Sequence, residues 1–233
     1  MKPVTIFFLF IIGAFHGCKK NNDTIISSSL SISKKIIVFG SSIAAGIGAT
    51  HDSLSWVGLF KKTRISDSIL NFSIPGTTTF HTLPSKYKDS SFIVGAPSPV
   101  ANNIDRVIQA NPDFVVISIT SNDIANGFTP DDYMKNISII TNQLKDQRIP
   151  YIITSTTIRG DINLIKRNQL FEIFKRVHEK YLTEFVDILT PLSDTTNFSI
   201  RTEFFNSDLI HPNNLGHEKI FNQIKQHLLI RRL

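Results

Sequence analysis

From residue 34 onward, short apolar runs alternate with longer segments in which apolar residues return at helical spacing. That alternation is the pattern of an α/β domain with a parallel sheet, each strand followed by a helix that packs back on it. Strands are expected at 36–40 (IIVFG), 68–73 (SILNFS), 113–119 (DFVVISI), 150–156 (PYIITST) and 186–189 (VDIL). The third run is continuous and β-branched, which fits a strand covered on both faces. Helices are expected at 55–62, 101–110, 130–147, 162–185 and 214–232. The helix at 130 opens on Pro130 and two acidic residues, a favourable start because the missing N–H costs nothing there and carboxylates complement the helix dipole.

Ligands of an open parallel sheet sit outside the carboxyl ends of its strands, and four loops there carry unusual residues. In the first, Gly40, Ser41, Ser42 and Ile43 lead into small residues. Gly46 and Gly48 lack the third glycine of a dinucleotide fingerprint, His51 standing in its place; there is no G-K-[ST]; and Ala44 breaks the G-x-S-x-G nucleophile elbow. Taken alone, Ser42 reads as a helix cap. In the second loop, 71–80, Gly76 is a turn glycine or a close backbone approach to a ligand. In the third, 118–127, Asn122 and Asp123 can cap the next segment, or the Asn122 carboxamide can donate to an oxyanion. In the fourth, 206–217, Asp208 and His211 stand three apart, so the carboxylate can hold one imidazole nitrogen and leave the other as a base.

Length and composition add the rest of the chain. At 233 residues, 41% hydrophobic and 19% charged, it suits one domain plus an appendage, with no internal repeat. The appendage is N-terminal: Lys2, then the apolar run 4–15 (VTIFFLFIIGAF), then Gly17 directly before Cys18. The run is shorter than the roughly 20 residues of a spanning helix and reads as a secretory signal. Cys18 is the sole cysteine, so it has no internal disulfide partner. Its position resembles the lipobox of bacterial lipoproteins, although Phe15 and His16 stand where that pattern prefers leucine and a small residue. The resemblance implies a signal over 1–17, lipidation at Cys18, a membrane anchor in the bacterial cell envelope, a polar tether over 18–33 and a folded domain over 34–233. An uncleaved anchor or plain secretion are the alternatives. The formal charge of +6 is scattered, without a K/R-rich block or nucleic-acid motif, so no nucleic-acid partner is expected.

The order of the four loops carries more than each alone. G-x-S after the first strand, glycine after the second, N-D after the third and D-x-x-H before the last helix is the block pattern of the SGNH (GDSL-type) hydrolases, which the chain resembles over about residues 34 to 230. The resemblance implies a flavodoxin-like three-layer sandwich with a parallel five-stranded sheet, and hydrolysis of esters or thioesters without a cofactor. It also implies Ser42 as nucleophile, His211 as base and Asp208 orienting it. The oxyanion hole would comprise the N–H groups of Ser42 and Gly76 and the side chain of Asn122. Three residues depart from the pattern: Ser41 replaces the aspartate of GDSL, Ile43 its leucine, and Thr120 the glycine two before the block asparagine.

The expected substrate is a small-molecule or glycan ester, with O-acetyl groups favoured in an envelope protein that lacks a long apolar lid. Substrate choice is assigned to 77–100 and to 156–160 (TTIRG), where Arg159 either meets an anionic group or forms a surface ion pair. His51 and His81 sit in loops near the expected site and are candidates for lining it. His178, His217 and His227 fall in helices, and no third ligand accompanies His211 and His217 for a metal. A monomer is expected. Two readings compete with hydrolysis: a binding lipoprotein that kept the fold and lost activity, and an acyltransferase passing the acyl group to a sugar hydroxyl.

Overall fold

The computed structural model describes residues 32–87, 102–197 and 199–233. The expected signal, Cys18 and nearly all of the tether lie outside these residues, as does 88–100 of the expected substrate segment.

Five strands, β1 (Lys35–Gly40), β2 (Ser68–Asn71), β3 (Phe114–Ser118), β4 (Tyr151–Thr154) and β5 (Phe185–Val186), form one parallel sheet in the order β2-β1-β3-β4-β5. Among the described residues eight α-helices accompany them: α1 (Ser42–Ala45), α2 (Trp56–Thr63), α3 (Ile104–Gln109), α4 (Asn122–Ala125), α5 (Pro130–Asp146), α6 (Leu164–Lys180), α7 (Asn214–Gln226) and α8 (Leu228–Arg231). Alternate residues of each strand face opposite layers. Ile37, Phe39, Val115, Ile117 and Ile153 pack with α3, α5 and α6. Ile36, Val38, Phe114, Val116 and Ile152 pack with α2, α7 and α8. Both clusters lie inside one compact unit, Ser33–Leu233. This is the three-layer α/β sandwich expected from the sequence.

Some boundaries differ for identifiable reasons. The helix expected over 162–185 ends at Lys180, yet Tyr181 is buried in the same cluster and its hydroxyl meets Thr141 Oγ1 at 3.2 Å. Its apolar period therefore runs on past the point where the backbone turns toward β5. The last strand is shorter than 186–189, because the N–H groups of Ile188 and Leu189 donate to Ser155 Oγ (2.9 and 3.0 Å) instead of extending the ladder. The final helix breaks at His227, whose extended backbone ends α7 and whose ring accepts from the Leu229 N–H. A small antiparallel pair, β6 (Ser193–Asp194) with β7 (Ser199–Ile200), had no signal in the apolar pattern.

The strand order reverses direction between β1 and β3, since the chain leaves β1 toward β2 on one side and returns to β3 on the other. A crevice opens at such a point, above the carboxyl ends of the two strands. The loops there are those of Ser42 and Asn122. Gly40 brings them close: a Cβ at this position would overlap the Ser118 carbonyl of β3.

Candidate active site

The turn after β1 places Ser41 at the N-cap of α1 and Ser42 as its first residue. Ser41 makes no side-chain cap bond, and Ser42 is not a cap, which corrects the expectation from the isolated loop. Its hydroxyl instead lies 3.0 Å from His211 Nε2. As the leading residue of a helix, Ser42 has a backbone N–H without an intrahelical acceptor. Gly46 (φ 96°) and Gly48 (φ 103°) then turn the chain through conformations that favour glycine. A Cβ on Gly48 would overlap the Pro212 carbonyl, so the first and last loops touch backbone to backbone. Asn206 fastens them, its Nδ2 donating to the Gly48 carbonyl at 2.9 Å while its own N–H donates to the His211 carbonyl at 3.0 Å.

In the last loop Asp208 Oδ2 lies 2.7 Å from His211 Nδ1, and Oδ1 accepts from the N–H groups of Ile210 (2.9 Å) and His211 (3.0 Å). Leu209, at φ 58°, makes the tight turn that permits these contacts. Burial works against the Asp208 charge, but the His211 and Ile210 N–H groups and the His211 ring outweigh it, and the carboxyl is held below its ordinary pKa. His217 is a second fastening of this region. Fully buried, it accepts from the Trp56 N–H at Nδ1 (3.3 Å), and its Nε2–H donates to the Ile47 carbonyl (3.1 Å). Burial pushes its pKa down to about 4, so the ring is neutral at ordinary pH and supplies one donor and one acceptor.

The second and third loops close the opposite side. Gly76, at φ 81°, has open space where a Cβ would stand. Asn122 opens α4; its Nδ2 donates to the Thr77 carbonyl (2.9 Å), and its Oδ1 accepts from Arg159 Nη1 (3.2 Å). Arg159 also holds Asp161 through Nε (2.9 Å) and Nη2 (2.7 Å), so its charge is matched within the protein. The sequence had offered an anionic ligand or a surface pair for this arginine; the link to Asn122 had no signal there. Two departures from the block pattern meet each other, Ser41 Oγ lying 3.5 Å from Thr120 Oγ1 in a buried contact.

These parts surround a cleft of about 310 Å³ lined by Ser42, Gly76, Asn122, Arg159 and His211, with Ile47, Pro75 and Ile210 as apolar walls. His51 and His81, which the sequence offered only as candidates, do not line it: the His51 ring is turned to Ser53, and the His81 ring to Thr78. Among the described residues no three His, Cys, Asp or Glu side chains are grouped as a metal would require.

A model of the GDSL-like lipase/acylhydrolase family matches residues 38–219. The chain belongs to this family of carboxylic ester hydrolases. No curated protein matched the sequence. The structure of this GDSL-like chain is similar to that of a GDSL-like lipase from Bacteroides thetaiotaomicron, with a TM-score of 0.61, 20% identity, and coverage of 85% of this chain and 88% of that one. It is similar to the psychrotrophic esterase EstA from Pseudoalteromonas sp. (0.59, 17%, 84% and 100%). It also resembles a catalytic mutant of an acetylxylan esterase from Geobacillus stearothermophilus (0.60, 16%, 84% and 95%). At these identities the likeness concerns the fold.

Beside the cleft, Asp123 is not the cap that the sequence offered as one role. Fully buried, its carboxylate accepts from the Thr79 N–H (3.0 Å) and hydroxyl, tying the third loop to the second. Burial pushes its pKa up to about 6 from 3.8 despite those bonds. The folded state therefore binds this proton more tightly than the unfolded one, and the group's contribution to stability, full at low pH, is lost as pH rises through about 6. Asp123→Asn lacks that slope. Relative to the parent, the variant should gain about 2 kcal/mol between about pH 4 and pH 7, whatever its fixed cost. Urea midpoints at both pH values check this, and a pH-independent difference would contradict it.

Proposed function

We propose that the protein is a serine esterase that removes short acyl groups, O-acetyl groups on glycans foremost, through an acyl-enzyme. The observation that carries this reading is the continuous relay from Ser42 Oγ to His211 Nε2 (3.0 Å) and from His211 Nδ1 to Asp208 (2.7 Å). With Nδ1–H donating to Asp208, Nε2 is free to accept the Ser42 proton. Ser42 Oγ bonds to the ester carbonyl carbon as that proton moves to His211, and the carbonyl π electrons pass to oxygen. The oxyanion is met by the N–H groups of Ser42 and Gly76 and by the Asn122 carboxamide. Collapse breaks the bond to the alcohol oxygen, which takes the proton from His211. Water, deprotonated by the same ring, then releases the acid and restores Ser42.

The modest cleft supports a short acyl group, and its wall of Ile47, Pro75 and Ile210 offers apolar contact to a methyl. The neighbour from Geobacillus is itself an acetylxylan esterase, and the one from Pseudoalteromonas is inhibited by monoethylphosphonate. Location follows from the N-terminus: the apolar run and Cys18 support a lipid-anchored protein of the bacterial envelope.

In the proposed mechanism, Ser42→Ala abolishes turnover of aryl acetate and acetylated xylan. Asn122→Ala lowers kcat ~10² to 10³-fold with KM nearly unchanged, as loss of one oxyanion donor does. Retained turnover in Ser42→Ala refutes the nucleophile assignment, and unchanged kcat in Asn122→Ala removes that side chain from the hole. For the anchor, Cys18→Ala should move the protein from the membrane fraction to the soluble fraction; an unaltered distribution rules out lipidation at this residue as what holds it.

A further inference from the structure

The Asn122 carboxamide has two edges, and only one orientation puts N–H groups where an oxyanion can use them. Its flip would bring Oδ1 against the Thr77 carbonyl and Nδ2 against the Arg159 guanidinium, repulsive on both sides. In the orientation found, the Thr77 carbonyl takes one N–H at 2.9 Å and Arg159 Nη1 donates to Oδ1 at 3.2 Å. One N–H is left, on a side chain that lines the cleft.

The guanidinium is itself fixed. Its Nε and Nη2 make a two-pronged contact with Asp161 at 2.9 and 2.7 Å, and its side chain is only 12% exposed. The hydrogen bond from Arg159 is the foremost reason that the Asp161 carboxyl is held below its ordinary pKa, so this carboxylate stays charged through the neutral range. A planar fork held along one edge has little freedom in where its remaining donor points. A cation donating to an amide oxygen also polarises the amide and strengthens its N–H groups as donors.

We propose that Arg159, held by Asp161, is a positioning residue of the esterase: it locks and polarises the Asn122 carboxamide so that its free N–H serves the oxyanion. The proposal rests on the esterase reading given above. It assigns Arg159 a role in the transition state that is exerted through Asn122, and it makes the loop after β4 part of the oxyanion machinery. With Asp161 balancing its charge, Arg159 is poorly suited to capture an anionic substrate.

The test is a double-mutant cycle on aryl acetate turnover, with Arg159→Met in the parent and in Asn122→Ala, and with thermal midpoints measured for all four proteins. Arg159→Met should lower kcat about 10-fold with KM within about twofold, and should have no further effect once Asn122 is alanine. Arg159→Lys, which keeps the charge and loses the fork, should fall between. If Arg159→Met fails to fold, Asp161→Asn serves in its place, with a smaller loss that also vanishes in Asn122→Ala. Equal losses in both backgrounds, a raised KM at unchanged kcat, or no loss would each overturn the proposal. Failure of the underlying reading is visible separately, as absent turnover in the parent or full kcat in Asn122→Ala alone, and either overturns the proposal with it.

Discussion

The hydrogen bond between Ser42 and His211 joins residues 169 positions apart, and the site depends on the backbone approach that makes it possible. The first and last loops touch at Gly48 and Pro212, where any side chain on residue 48 would intrude. Asn206 ties the same two loops, and His217 ties the turn after Ser42 to the start of α2. None of these groups needs to touch a substrate. They fix a distance of about one hydrogen bond between two elements that the chain visits first and last, and the chemistry of a serine and a histidine exists only at that distance.

The sheet supplies the other half of the constraint. Because the order reverses between β1 and β3, the loops of Ser42 and Asn122 flank one crevice instead of packing over each other. Asp123, turned inward to Thr79, draws the loop after β2 toward the same crevice, and Gly76 comes with it. A buried carboxylate is an expensive way to hold a loop. Here it uses two donors from one residue, and its elevated pKa records the cost.

How far this was legible in the sequence depends on the range of the interaction involved. The parallel sheet was visible because strands buried on both faces must be continuously apolar, as in β3. The end of α6 was not, because Tyr181 continues the apolar period into a turn while its ring stays in the core. Asp208 and His211 were readable as a pair, being three residues apart on one turn. Ser42 in isolation resembled a cap, and only the order of the four blocks suggested otherwise. The ties made by Gly48, Asn206 and His217 gave no signal because each reaches a residue far along the chain. Arg159 and Asn122 were each noticed but never joined, since nothing in a spacing of 37 residues says that a guanidinium meets a carboxamide. His51 and His81 were close to the site in sequence and turned their rings to local partners instead.

The proposed chemistry stands or falls with Ser42 as a nucleophile made reactive by His211. Peptide mapping after treatment with a fluorophosphonate tests it without knowledge of the natural substrate, since the reagent forms a covalent bond only with an activated hydroxyl. A single adduct is expected on the peptide carrying Ser42, formed far more slowly in His211→Gln. A folded protein that forms no adduct, or forms one on another residue, would contradict it.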